Sequence, residues 1–400
     1  MLSTDIAPTI LDRFDIPIPS EMSGQAIRAD GLVDATAVES LGDRLAVISE
    51  RRGPVIGMGL AIWLVALGLA IGVTRGRASR FGVKLVGLST VYLPLLLLLG
   101  AALESSQGVE QLLTIAGAPL LALLTLLVLS DYRALAVASG LTVLAYAIDV
   151  IAGSPLTSLS LLGPNPGLGV RFYGIGNELE ALLAVLVVAG TGTALSGFWP
   201  RLRGRRAATA FLAAGLLAAF VFAAGRFGAD VGAAIVLPLG GAAAAAAIAA
   251  RRRRTVLLVV ATPLAALALL ALADLLSGAN AHLTRTVLDA GGLGDLADVA
   301  QRRLQLSSHS FTRPIVFAFM PLIVAAGTLA VVRRDLVMTW LQGRPAMRAG
   351  LIGALAATLV GTLANDSGAL LLEIGAAYLL VFTTFAWAES DRPDPARGID

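Results

Sequence analysis

The chain has no cysteine, a single lysine at position 84 and two histidines, His282 and His309, among its 400 residues. The lack of cysteine excludes a disulfide framework, a thiolate metal site and a cysteine nucleophile, and it leaves the redox compartment without a marker. Two distant histidines and no clustered carboxylates at fixed spacing argue against a histidine-based metal site. No metal and no cofactor is expected in this chain. Charge is scarce too, at 14% of residues against roughly 25% in soluble domains. Hydrophobic residues make up 57%, mean hydropathy is +0.82, and apolar runs of about 20 residues recur from Pro54 to Trp387. A helix of that length crosses a roughly 30 Å hydrocarbon layer, so a soluble fold is excluded and a polytopic membrane protein is expected.

A net charge of +3 and a pI near 9.7 would suggest nucleic acid in a soluble protein. Here the basic residues sit in short loops between apolar spans, where they set orientation, and no nucleic-acid partner is expected. The predominance of arginine over lysine, with abundant alanine, fits the codon bias of a GC-rich genome better than a binding function.

The fold class expected is all-α, a bundle of about eleven transmembrane helices near 54-74, 81-103, 112-130, 134-152, 179-198, 207-225, 232-250, 255-276, 314-332, 348-365 and 368-388. The domain division is 1-50 outside the membrane, 51-388 transmembrane and 389-400 as a cytoplasmic tail. Loops holding Arg75 to Arg80, Arg133, Arg201 to Arg206, Arg251 to Arg254 and Arg333 to Arg348 carry 16 arginines, whereas the alternate loops carry six. The positive-inside rule places the first set in the cytoplasm of a cell membrane, with the amino terminus outside and the carboxyl terminus inside. Arg51 and Arg52, beside the first span, run against that pattern.

The cytoplasmic loops are short and basic, whereas the outer loops hold nearly all chemically versatile groups. Arg171-Phe172-Tyr173-Gly174-Ile175-Gly176-Asn177-Glu178-Leu179-Glu180 leads into the fifth span. It reads either as a tight turn capped by Asn177 or as a loop in which Arg171 grips an anion and Glu178 or Glu180 handles a proton or cation. Gly228-Ala229-Asp230-Val231-Gly232, after Arg226, is either a turn closed by an Arg226–Asp230 pair or part of the same pocket. Asn365-Asp366-Ser367-Gly368 breaks an apolar run and is either a hairpin or a broken-helix site. Glu373 lies inside the last span, where a carboxylate normally faces a bundle interior. In the long loop 277-313, Leu296, Val299, Arg303 and Leu306 predict a short surface helix with a basic face, suited to anionic headgroups. The candidate acid–base groups are Glu178 and His282. The candidate binding residues are Arg171, Tyr173, Asn177, Arg226, Asp230, Arg285, Arg303, Asn365, Asp366 and Glu373.

At the amino terminus, Asp5 to Asp12 read as a short amphipathic helix and Ile16-Pro17-Ile18-Pro19 as an extended turn. With Glu21-Met22-Ser23-Gly24-Gln25, residues 1-25 resemble the closing helix and final loop of the alkaline phosphatase superfamily, which includes sulfatases and phosphoglycerate mutases. That resemblance implies an α/β hydrolase or phosphotransferase domain whose nucleophile and Asp/His ligands lie upstream of this helix. Of the two readings it leaves, a late start on a longer gene product is preferred to a degenerate remnant. The three motifs of residues 54-388 together resemble signatures of bacterial polytopic membrane proteins of this architecture, a resemblance that brings no activity with it. The overall plan is similar, in architecture alone, to lipid-linked oligosaccharide polymerases and ligases.

The leading expectation is an envelope protein that binds or processes a lipid-linked, phosphate-bearing glycan or polymer precursor at the outer leaflet. Its partners would be membrane lipid and a polyprenyl-phosphate-linked substrate. The alternatives are a secondary transporter or flippase, and a membrane anchor for a phosphatase-superfamily domain. The sequence leaves the oligomeric state open. Carboxylates at the bundle centre would favour transport, a site at the outer end would favour a binder or enzyme, and an anchor predicts loops that do not converge.

Overall fold

A computed structural model describes residues 5–19, 22, 26–28, 34–73, 76–168, 170–249, 259, 261–270, 272 and 293–390. All regular structure among these residues is helical. A short amino-terminal helix, α1 (Ile6–Arg13), precedes α2 (Ala35–Ala46) and α3 (Ile48–Arg52). A π turn at Gly53–Gly57 joins α3 to α4 (Met58–Val73). Then come α5 (Arg77–Ala102), α6 (Gln107–Leu112) and α7 (Ala118–Val128), the last two joined by a π turn at Leu113–Gly117, and α8 (Tyr132–Ile151). The core continues with α9 (Asn177–Gly197), α10 (Gly204–Ala223) and α11 (Val231–Ala249), and a shorter helix, α12, covers Ala261–Leu270. The chain closes with α13 (Leu293–Ser310), α14 (Pro314–Val332), α15 (Arg334–Trp340), α16 (Pro345–Ala364) and α17 (Gly368–Glu389).

Nine helices among the described residues are long and apolar enough to cross a membrane, and the chain is a polytopic integral membrane protein. Two shorter apolar helices, Ala261–Leu270 and Phe319–Val332, occupy the positions of the other two expected spans. The outward faces explain why water is the wrong solvent. Leu127 is 73% exposed, Val128 82% and Leu217 67%, a surface that suits hydrocarbon and would aggregate in water.

Helix α9 is the axis of the bundle, buried along nearly its whole length, because its Leu, Val and Ala residues leave no polar stripe. It packs against α8, α16 and α17, and α11 packs against α10 and α16. Lipid tails are as apolar as leucine, so close backbone packing must hold these helices together, and glycine permits it. A Cβ on Gly192 would sit 2.8 Å from the Ala346 carbonyl, and one on Gly215 would sit 2.6 Å from that of Leu237. One on Gly353 would overlap the Gly240 carbonyl. Gly353→Val is therefore expected to destabilise the bundle by about 1–3 kcal/mol through overpacking. A lowered thermal midpoint in detergent, with Gly327→Val on an unencumbered stretch of α14 as control, checks this.

The charged cross-links among the described residues sort into the two ends of the bundle. At the arginine-rich end Arg133 Nε donates to the Gly197 carbonyl at 3.0 Å, and Lys84 pairs with Glu389. At the other end Arg52 bonds the Gly163 carbonyl at 2.7 Å and Glu178 at 3.2 Å, and Arg51 reaches Ser105 and Glu110. These partners absorb the two arginines that run against the charge asymmetry of the loops. Asp149 does not reach solvent as a helix-end residue would. It is buried, and its carboxylate accepts from the Leu156 and Thr157 amides at 3.0 and 2.7 Å. The short helix expected near the amino terminus is α1, and the surface helix expected from Leu296 to Leu306 lies within α13. The arginines 251–254 and much of the expected span 255-276 lie outside the described residues.

Candidate functional site

The three sequence motifs meet at the arginine-poor end. The loop before α9 is tied to the turn before α11 by backbone: the Ile175 amide donates to the Gly228 carbonyl at 3.0 Å. Gly174, at φ +82°, makes this approach possible, because a Cβ there would overlap that same carbonyl. Arg171 is the clasp. Its Nε donates to the Tyr173 carbonyl at 3.0 Å and its Nη2 to that of Ile175 at 2.5 Å, and Nη2 lies 4.0 Å from Asp230 Oδ2. The third motif joins through its side chains. Asn365 Nδ2 donates to Glu180 Oε2 at 2.6 Å and to Asn177 Oδ1 at 3.2 Å, while Asn177 Nδ2 donates to Asp366 Oδ1 at 3.1 Å.

At the centre of this meeting are two buried carboxyls, Glu180 and Asp230, 2% and 7% exposed. They lie close enough to interact electrostatically, and two ionised carboxylates buried side by side would repel each other. Asp230 precedes α11 and caps it by accepting from the Ala233 amide at 3.0 Å. Burial pushes the Asp230 carboxyl above the usual carboxylate range, against the pull of that amide and of Arg171. Glu180 Oε1 is buried without a hydrogen-bond partner, and the Glu180 carboxyl lies against Gly232, where a Cβ would overlap it. Arg303 of α13 stands close enough to Glu180 to attract it electrostatically, and it donates weakly to the Ala364 carbonyl at 3.4 Å.

Helix α13 also secures the break between α16 and α17. Ser307 Oγ donates to the Thr362 carbonyl at 2.6 Å, and Ser310 Oγ accepts the Ala369 amide at 2.9 Å, capping the start of α17. Asn365–Gly368 is thus a hairpin whose free backbone groups meet protein, as broken helices at membrane depth require.

The comparisons with known proteins match no family model, no curated protein and no solved structure.

Several expectations need correction. The Arg226–Asp230 pair does not form; Arg226 is exposed, and among the described residues the cation within 4.0 Å of Asp230 is Arg171. Arg171 gives its Nε and Nη2 to backbone carbonyls, and 28% of its side chain stays exposed. Asn177 does not cap its helix, since Gly176 holds that place and the amide side chain reaches across to Asp366 and Asn365. Glu178 is held by Arg52, so the carboxylate at the centre of the cluster is Glu180, two residues on. Helical geometry carries that signal, because positions 178 and 180 point to different faces and only one faces the bundle. Tyr173 is half-buried and contributes its carbonyl. Glu373 is half-buried inside α17, one of its oxygens buried without a donor. His309 is exposed on the last turn of α13. His282 and Arg285 lie outside the described residues.

Proposed function

We propose that this integral membrane protein belongs to a bacterial cell envelope and processes a lipid-linked, phosphate-bearing glycan or polymer precursor at the outer leaflet, with the Glu180–Asp230 pair moving the proton. One observation carries this reading: the convergence of three motifs, distant in sequence, on a pair of neighbouring buried carboxyls at one end of the bundle. Its place is the first turn of α9 and the start of α11, not their midpoints, which favours access from one leaflet over a path through the membrane. Loops that converge also weigh against a plain anchor. A carboxyl pair holding one proton can donate it to a leaving oxygen or accept it from an attacking hydroxyl, the acid–base work that transfer of a phosphate-linked sugar demands. Asn365 orients Glu180, while Arg303 and exposed Arg226 are cations that would meet phosphate.

Glu180→Gln preserves size and the Asn365 contact but removes the exchangeable proton. In the host cell it is expected to lower polymer output by about 10²-fold or more, as loss of general acid–base catalysis does. Lipid-linked precursor should accumulate while protein abundance holds. Asp366→Asn, which keeps a hydrogen-bonding partner for Asn177, should have a milder effect. Normal polymer from a normally abundant Glu180→Gln protein would sink the reading.

Glu373 supports a second reading, a proton-coupled transporter or flippase, because a carboxylate inside α17 without a donor is the kind of group that relays protons. Proton uptake by proteoliposomes that is abolished in Glu373→Gln and unaffected in Glu180→Gln would favour it.

A further inference from the structure

A second polar cleft, formed by other residues, lies between α3 and the turn from α5 to α6. Its volume is about 270 Å³, at the small end for a ligand site, so it suits a headgroup and not a whole glycan. Its lining carries both signs of charge. Arg44 is held at both terminal nitrogens, by Glu104 at 2.8 Å and the Ala101 carbonyl at 3.0 Å. Arg51 is held less firmly. Its Nη1 bonds the Ser105 carbonyl at 2.9 Å but stands 3.5 Å from Glu110 Oε2, long for a charge-assisted bond of roughly 2.7–2.9 Å. Glu110 is nonetheless buried, and a buried carboxylate so loosely partnered is short of donors. Beside it, in the same lining, Ser105 Oγ is buried with no partner at all. Such groups are rare in native interiors unless a ligand or ordered water meets them. The helices that form the cleft also expose Leu99, Leu103, Val109 and Leu112, an apolar surface beside the polar hollow.

We propose that this cleft binds a phosphoethanolamine zwitterion, its primary ammonium between Glu110 and Ser105 and its phosphate on the guanidinium of Arg51. An ammonium supplies three donors to the Glu110 and Ser105 oxygens, which are short of partners, and the planar guanidinium matches phosphate oxygens. The exposed leucines beside the cleft point to a phospholipid as the source, with the soluble zwitterion as the other. The site is independent of the Glu180–Asp230 pair.

The test uses the full chain in nanodiscs containing equal phosphatidylethanolamine and phosphatidylcholine, followed by stringent delipidation and mass-spectrometric counting of retained lipid. Phosphatidylcholine is the control because its quaternary nitrogen has no N–H to give. The wild type should retain phosphatidylethanolamine about tenfold over phosphatidylcholine, the factor expected of one hydrogen bond to a charged group. Glu110→Gln and Arg51→Gln should bring the ratio to about one. Gly100→Ala guards against misfolding as an explanation. Its added methyl would sit 3.5 Å from Glu110 Cγ, an ordinary contact, so it narrows the cleft while leaving every charge in place. Retention should fall in this variant with the thermal midpoint as high as the wild type's or higher, since alanine gains over glycine in a helix. Displacement of the retained lipid by soluble phosphoethanolamine assigns the free zwitterion as the ligand, and failure to displace it assigns the lipid. Equal retention of the two lipids by the wild type, or a ratio unchanged in Glu110→Gln, would overturn the proposal.

Discussion

Gly232→Ala is expected to destabilise the protein by about 1–3 kcal/mol, the opposite of what the same change does in an ordinary helix interior. Alanine normally gains in a helix because glycine loses more backbone entropy on folding. Gly232 lies in the first turn of α11, and the methyl would occupy the space now filled by the Glu180 carboxyl. That carboxyl cannot swing clear at little cost, since Asn365 Nδ2 holds it at 2.6 Å and its surroundings are buried. Displacing it strands buried polar atoms, at about 1–3 kcal/mol for such a group. The control is a double-mutant cycle. Glu180→Ala empties the space, so the methyl should do little further harm in the double variant, and the coupling between the two sites should be about 0.5–3 kcal/mol. Thermal unfolding in detergent reads all three proteins. A Gly232→Ala protein as stable as the wild type, or more so, would show that Glu180 does not occupy the position described.

The larger effect is expected at the opposite end. Lys84, the sole lysine, is 8% exposed and pairs with Glu389, itself 6% exposed, between α5 and the end of α17. Lys84 also lies 5.7 Å from the centroid of the Phe385 ring, and Arg344 covers Tyr132 at 5.5 Å. Removing one member of a buried ion pair is strongly destabilising, so Lys84→Ala should cost about 3–5 kcal/mol. Replacing both members, as Lys84→Met with Glu389→Leu, should recover most of that loss, because two apolar side chains of similar volume need no desolvation. Expression level and thermal midpoint of the single and double variants check this. A double variant no better than Lys84→Ala would mean that the pair contributes something other than mutual neutralisation.

Much of the membrane architecture was legible in the sequence, because hydrocarbon imposes a single pattern, the long apolar run. The nine long helices lie on expected spans, although the first begins at Ala35 and not near Pro54, since an amphipathic segment and a π turn prolong it. The convergence of the Arg171–Glu180, Gly228–Gly232 and Asn365–Gly368 motifs was legible as well, from their common position on the arginine-poor side. The assignments within the cluster were less so. Choosing Glu180 over Glu178 needs the rotation of α9, and that is fixed by α16 and α17, far away in the chain. The use of Arg171 as a clasp on carbonyls was hidden for a related reason. A guanidinium beside glycines looks ready for an anion until the backbone carbonyls that engage its Nε and Nη2 have been placed. The Arg51–Glu110 cleft carried no motif at all, since it arises from two ordinary charged residues 59 positions apart.

The glycine contacts among α9, α11 and α16 bear on how this molecule can move. Where two backbones touch without intervening side chains, there is no compliant layer to shear, and sliding one helix past its neighbour would drive carbonyl oxygens into α-carbons. These three helices therefore behave as a stiff chassis. Any rearrangement that admits or releases a bound molecule falls to what is bolted onto that frame, chiefly α13 with its two serine fastenings.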